Sequence, residues 1–439
     1  MSRNLTSAAG NQNAEPALTP KLRFPEFRDA GGWTSKPMST VYSFKGNNSL
    51  SRDKLNYERG TVKNIHYGDI HTKFATHFDI TTELVPFINP SESLASFKAD
   101  NFCVEGDMIF ADASEDLADI GKAIEIVRLN RERVVSGLHT ILARQNEDEL
   151  FLGFGGHLFK SKWVRTQIQK ESQGSKVLGL SGGRLAKIEV PFPSPAEQQK
   201  IAECLTSLDE VIAAQSQKLD ALKTHKKGLM QQLFPREGET LPRIRFPEFQ
   251  DAPDWEEKKL STLVHLVSGL HLSPVEYGKE GAIPYFTGPS DFTNNPQTIT
   301  KRTNEAGSVA KKDDTLITVK GSGVGEIWYL ALSSVAIGRQ LMAVRVKDAE
   351  SRFIFQFLLT KRSRFVDLAS GNLIPGLSRG DILDLEAPFP TVPEQKRIAT
   401  CLTTLDDLIT AQSAKLSALK THKKGLMQQL FPSPEEAEA

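Results

Sequence analysis

The chain repeats itself, and the repeat constrains its fold more than any other feature. RFPEFRDAGGW at residues 23–33 returns as RFPEFQDAPDW at 245–255, an offset of 222. Residues 179–235 return as 376–432, an offset of 197, with 38 identities in 57 aligned positions. The last fifteen of these, ALKTHKKGLMQQLFP, match without a break. A run of that length does not arise by chance, so the chain is read as a duplicated unit. The offsets differ by 25, which makes the middle of the first copy that much longer than the middle of the second. The middles, about 34–178 and 256–375, show little similarity to each other. A shared frame around different contents fits a frame that meets one partner twice while each middle meets its own ligand.

The frame after each middle predicts a long helix. Ser194 and Glu197 form a capping-box pattern around Pro195, and Thr391 and Glu394 repeat it around Pro393. Apolar residues follow at alternating spacings of four and three, through Ile201, Leu205, Leu208, Ile212, Leu219 and Leu222, then Leu229 and Leu233. The second copy gives Ile398, Leu402, Leu405, Ile409, Leu416 and Leu419, then Leu426 and Leu430. Gln215 and Lys226 interrupt the first seam, and Gln412 and Lys423 the second. Polar breaks in a heptad seam suit a coiled coil whose register must be fixed. Phe234-Pro235 and Phe431-Pro432 stop the helices, each about 39 residues or roughly 58 Å long. The expectation is an intramolecular antiparallel pair in which Gln215 and Gln412 meet. The basic run at 223–227, repeated at 420–424, is either a solvated helix end or a contact for DNA or a partner.

The middles read as mixed α/β. Strands are expected at 107–110, 123–127, 315–319 and 341–346, and helical stretches at 156–169 and 352–368. Polar loops lie at 66–76, 111–121, 287–298 and 320–325. They and their neighbours carry side chains suited to base edges and phosphates: Tyr67, His71, Lys73, Asp112, Ser114, His139, Lys320, Ser322, Arg339 and Gln340. Together these elements give an α+β chain in six segments: a disordered tail at 1–20, a mixed α/β domain at 21–193, a long helix at 194–235, a second domain at 236–390, a second helix at 391–432 and a tail at 433–439.

Composition narrows the function. With 54 basic and 54 acidic residues the formal charge is zero, so bulk electrostatics alone would not grip DNA. A neutral reader needs a local basic face or a partner. No apolar run reaches the roughly 18 residues of a membrane helix. The polar first twenty residues lack the apolar stretch of a signal peptide, so the expected location is the cytoplasm. Cys103, Cys204 and Cys401 are too scattered for a disulfide framework or a zinc site.

Catalytic motifs are not evident. GSGVG at 321–325 lacks the Gly-Lys-Ser/Thr of a P-loop, and GFGGH at 153–157 reads as a turn. Asp254, Glu256, Glu257 and Lys258 are too tightly spaced to surround a metal from adjacent strands. Asn89-Pro90-Ser91 lacks the second proline and the aromatic of an amino-methyltransferase motif.

The RFPEF lead-ins, the segments GLSGGRLAKIEVPFPSPAEQQKIA and GLSRGDILDLEAPFPTVPEQKRIA, and the two LKTHKKGLMQQLFP helix ends resemble the specificity subunit of type I restriction–modification enzymes. YGDIHTKF at 67–74 and ITVKGSGVG at 317–325 are similar to segments of that family's target recognition domains. The resemblance implies two such domains held apart by an antiparallel helical spacer, each reading half of an asymmetric double-stranded DNA site. It implies two modification subunits that bind S-adenosylmethionine and methylate adenine, and restriction subunits that use ATP and Mg to cut DNA. This chain would then hold no cofactor or metal and carry no catalytic residue. The competing expectations are a stand-alone methyltransferase or nuclease and a coiled-coil scaffold with protein-binding domains.

Overall fold

The computed structural model describes residues 18–305, 307–370 and 376–433; most of the expected N-terminal tail, and the C-terminal tail after Ser433, lie outside them. The chain forms two compact units, one running to Ala214 and resuming at Leu416, the other spanning Gln215–Lys415. Each therefore holds one middle together with a part of both long helices.

The long helices are Pro195–Leu233 and Val392–Leu430, 39 residues each. In the first unit Lys423 pairs with Asp209. In the second Lys226 meets Asp406 at 2.6 Å, and the Gln412 amide donates to Gln215. As residue numbers rise on one helix they fall on the other, so the pairing is antiparallel. The lysine breaks in the seam are thus half of a lysine–aspartate lock, and the glutamine breaks satisfy each other.

The seam does two jobs along its length. Ile201 and Leu205 are buried in a core with Leu430, Phe431, Trp33 and Phe154, and Ile398 and Leu402 lie in a second core with Leu233, Phe234, Trp255 and Phe353. Leu219 and Leu416 are buried, whereas Leu208, Ile212, Leu222, Leu405, Ile409 and Leu419 are half-buried. The helix starts thus pack on a globular domain as well as on the other helix.

The Glu197 and Glu394 carboxylates do not close the expected capping boxes. Arg23 holds Glu197 through Nε at 2.9 Å and Nη2 at 2.5 Å, and Arg245 holds Glu394 at 2.8 Å through both. A guanidinium fork offers two charge-assisted bonds, which outweigh one bond to a backbone amide. The next residue is also committed. Gln198 accepts from the Phe151 amide at 2.8 Å, and Gln395 from the Glu350 amide at 2.9 Å. The repeated RFPEF and Glu-Gln motifs are therefore two ends of one clasp between lead-in, domain and helix.

Each domain opens on a strand of its middle paired with a strand of the repeated frame, Thr34–Pro37 with Glu189–Phe192 and Glu256–Lys259 with Glu386–Phe389. Glu256, Glu257 and Lys258 lie on such a strand, with Lys258 on Glu256 at 2.7 Å. Inside, the two middles share an antiparallel sheet. Its order is Tyr42–Lys45, Thr140–Gln145, Met108–Ala111, Ala123–Arg128 in the first unit. In the second it is Val264–Ser268, Leu341–Val346, Thr315–Thr318, Ile327–Tyr329. Arg144 forks onto Asp107 at 2.9 and 2.8 Å, and Arg345 onto Asp314 at 3.0 and 2.7 Å. The duplication thus includes the middles, whose sheet survived after most surface residues diverged. The first sheet adds a parallel strand, His77–Asp79.

Three local expectations change. The stretch 156–169 is two helices, Phe154–Leu158 and Lys162–Glu171, because Ser161 caps the second by accepting from Val164 N. The stretch 352–368 likewise splits into Ser351–Thr360 and Arg362–Ser370. GFGGH opens a helix rather than a simple turn: Gly153 takes φ +92°, and the buried Glu125 carboxylate accepts from Gly153 N at 2.7 Å and Gly156 N at 2.6 Å. Among the described residues no helix is long and apolar enough to cross a membrane.

Candidate nucleic-acid interface

In the first unit the expected loop at 66–76 contains a short helix, Tyr67–Thr72, whose first turn is capped by His66 Nδ1 accepting from Gly68 N at 3.2 Å. This helix presents Tyr67, His71 and Lys73. The Tyr67 ring lies 5.3 Å from His139 and 6.2 Å from His71, edge-on to both. His71 Nε2 is 3.0 Å from the Ala113 carbonyl, and His139 Nδ1 is 3.2 Å from Asp112 Oδ1. Ser114, one residue beyond Ala113, turns its hydroxyl to the Asp116 amide at 3.0 Å. Tyr67, His71, Asp112 and His139 thus form one cluster at the ends of the strands, while the Ser114 hydroxyl is committed to its own turn.

His139 sits at φ +56°, a strained backbone for a residue with a side chain, and its ring is exposed. Burial pushes the Asp112 carboxyl above its ordinary range, against the pull of His139. Burial and the Arg52 charge lower the His66 pKa, which favours the neutral, accepting ring.

Lys73 extends the cluster through residues that the sequence did not single out. Asp69, buried inside the short helix, accepts from Arg52 at 2.7 and 2.9 Å and from Lys73 at 2.9 Å. Burial opposes the Asp69 charge, but these two cations outweigh it and hold its pKa low. Lys73 also reaches the Tyr57 hydroxyl at 3.1 Å and lies over that ring. The result is an exposed face of Arg52, Tyr57 and Lys73 fixed from below by one carboxylate. The acidic residue two after Tyr67 was the available signal.

In the second unit Lys320, Ser322, Arg339 and Gln340 are all exposed. Val319 N donates to the Gln340 carbonyl at 2.7 Å, which sets the loops 320–325 and 338–340 side by side. The Gln340 side chain lies against Gly321 and Gly288; a Cβ at Gly288 would stand 2.7 Å from Gln340 Oε1. The loop after Gly288 is tied by Asp291, which accepts from Thr287 N at 2.7 Å and pairs with Lys301 at 3.0 Å. Residue 340 occupies the sheet position of His139: both immediately precede the strand that carries the forked arginine. The two units therefore present loops at matching places, with different side chains.

One further cluster lies in the first unit. His77, His157 and Asp209 bring potential ligand atoms within 4.8 Å of one another. The His157 Nδ1 atom is buried without a hydrogen-bond partner, but Asp209 is already paired with Lys423 and Lys160 stands nearby, so the local charge opposes a bound cation. The three residues are far apart in sequence, which is why spacing could not show them.

The family description "Type I restriction modification DNA specificity domain" matches this chain twice, at residues 85–224 and 253–421. The chain belongs to that family and is a DNA specificity subunit of the type I restriction–modification class. The scaffold alternative is not favoured. A putative type I restriction enzyme MjaX specificity subunit from Methanocaldococcus jannaschii is 25% identical over 391 residues, covering 87% of this chain and 88% of the relative. The EcoDI specificity subunit from Escherichia coli is 23% identical over 278 residues, covering 53% and 58%. Among solved structures, a type I restriction-modification S subunit from M. genitalium superposes with a TM-score of 0.65 at 18% identity, covering 95% of this chain and all of that one. A chain from work on complex assembly and conformational transition of the type I system gives 0.53 at 19% identity, covering 91% and 98%. The family thus places this chain in a restriction–modification complex.

Proposed function

We propose that this subunit reads an asymmetric, two-part DNA site, one half through each recognition domain, and carries no catalytic group itself. The domains correspond to residues 21–193 and 236–390, and the spacer helices to 194–235 and 391–432. The observation that carries the reading is one sheet, built twice, with different polar loops at matching ends. Tyr67, His71, Lys73, Asp112, Ser114 and His139 would meet one half-site; Lys320, Ser322, Arg339 and Gln340 would meet the other. Arg and Lys suit guanine, Gln suits adenine, and Asp accepts from cytosine.

Two modification subunits would supply S-adenosylmethionine-dependent adenine methylation, and restriction subunits ATP-dependent cleavage, in the cytoplasm. Zero net charge then has a consequence: binding by this chain alone should be weak and strongly salt-dependent, and specific binding should require modification subunits. The decisive experiment replaces residues 256–375 with another recognition middle and maps methylated positions genome-wide. One half of the site should change and the other should stay. A change in both halves refutes independent reading.

A further inference from the structure

The reading loops leave the repeated basic run without a task. In the first unit it faces a cavity of about 480 Å³ lined by Lys122, Lys160, Lys162, Arg165, Lys420 and Lys424, with Asp119 the acidic residue in its wall. Several of these cations are occupied. Arg165 donates to the carbonyls of Ala118, Ile120 and Gly121 at 2.6–3.0 Å, and the neighbouring Lys423 pairs with Asp209. Lys160, Lys420 and Lys424 form no salt bridge among the described residues, although Asp209 lies near enough to Lys160 to favour its charge. Lys160 keeps solvent contact, yet the surrounding protein, and then Lys423, push its pKa down to about 8. These positive charges repel one another in a partly enclosed space, which is the condition an anion relieves.

The cavity adjoins the reading cluster. Lys122 lines it and donates to the His71 carbonyl at 2.7 Å, while the His71 ring bonds Ala113. A polyanion lying on Tyr67 and His139 would reach the cavity by continuing along the same surface. An acidic protein segment has no such reason to end there.

Among the described residues the second unit lacks this arrangement, although it repeats two of the lysines as Lys223 and Lys227. The Gln198–Phe151 and Gln395–Glu350 bonds align the two copies and place His157 with Gln356 and Lys160 with Leu359. The cavity beside Lys361 and Arg364 is lined by Glu237, Glu239, Glu257 and Glu386, and not by the repeat lysines Lys223 and Lys227.

We propose that Lys160, Lys420 and Lys424 clamp the DNA backbone next to the half-site of the first unit, so that the end of the second spacer helix touches DNA on that side only. The clamp rests on the DNA-reading function proposed above. It adds grip without sequence information, since phosphates are the same beside every base.

The test is Lys160→Gln/Lys420→Gln/Lys424→Gln in the full chain, against Lys223→Gln/Lys227→Gln as the repeat-matched control. Binding is measured across a salt series, on a random-sequence duplex for the chain alone and on the mapped site with modification subunits. Each lysine that meets a phosphate removes about 0.9 from the slope of log affinity against log salt, so the triple variant should lose two to three units of slope. Affinity should fall by a similar factor on both duplexes, and the methylated sequence should not change. The control should lose less than one unit. An unaltered slope in the triple variant, or an equal loss in the control, overturns the clamp. So does an unaltered slope with failed assembly, which would assign the cavity to a protein partner. If the wild-type chain binds no DNA even with modification subunits, the reading function itself falls.

Discussion

The Gln412 side-chain amide donates to the Gln215 carbonyl oxygen across the helix pair of the second unit, although the two are 197 residues apart and repeat-equivalent. Gln412 is buried and Gln215 half-buried, and apolar seam residues lie on either side. A single Gln412→Leu change leaves the Gln215 amide facing a methyl group and should cost about 1 kcal/mol. Gln215→Leu/Gln412→Leu removes both polar groups together and should restore or raise the melting temperature. Thermal unfolding of the four proteins in this cycle measures the coupling. Additive effects would show that the amides do not act as a pair.

The Arg245–Glu394 pair predicts a larger loss. Both side chains are nearly buried, and Trp255 Nε1 adds a bond to Glu394 at 3.2 Å. Arg245→Met would strand a buried carboxylate at the start of the second long helix and should destabilise by about 3–5 kcal/mol. Arg245→Met/Glu394→Met should recover much of this, because neither charge then remains. Thermal unfolding with limited proteolysis near residue 245 would check both results.

Stability against pH should reveal two opposed contributions at one place. Burial raises the Glu125 pKa to about 7, despite the Gly153 and Gly156 amides. The unfolded carboxyl loses its proton near pH 4.5, so this group makes stability fall as pH rises from about 4.5 to 7, by about 3 kcal/mol at most. Burial lowers the pKa of His77 and, more strongly, of His157, where His77, Lys423 and Lys160 add repulsion. The unfolded histidines bind protons first, so this pair makes stability fall as pH drops below about 6.5. Glu125→Gln should leave only the histidine trend, and His157→Gln should steepen the glutamate trend. Denaturation midpoints from pH 4.5 to 8 measure this; parallel profiles in all three proteins would contradict it.

His139→Ala and Gln340→Ala should separate the two half-sites. Each occupies the same sheet position in its own unit, so each loss should relax recognition in one half only. About 1–3 kcal/mol of discrimination is at stake for a base-edge contact. Methylation motifs from cells carrying each variant give the result directly. A motif relaxed in both halves by one variant would rule out independent placement.

The helices were legible because their apolar spacing repeats twice and their proline stops are local. A parallel pair would bring Lys226 against Lys423, whereas the antiparallel pair gives each an aspartate, and those aspartates could not be chosen by eye, since each comes from the other copy. Glu125 stayed hidden for a different reason. In the run AIEIV it looks like the solvent side of a strand, whereas the fold turns it inward to hold two glycine amides. The helix at 67–72 was missed because a histidine ring caps it, where Ser, Thr, Asp or Asn is the usual sign. Among the proposed reading residues, sequence located the loops, while the shared carboxylate of Asp69 emerged only when Arg52 and Lys73 met on it.

The first unit closes its core with Leu430 and Phe431, which pack among Trp33, Phe154 and Leu205. During synthesis that unit is mostly made early, then waits while the whole of Gln215–Lys415 emerges. At roughly 5–20 residues per second the wait is about 10–40 s. The second unit is continuous in sequence and can finish first, so folding order runs against chain order. A ribosome that stops in the last fifteen residues of the second long helix would release a complete second domain beside a first domain with an open apolar face. Such products should be recognised by chaperones and proteases through the first domain, although every residue of its middle has been made.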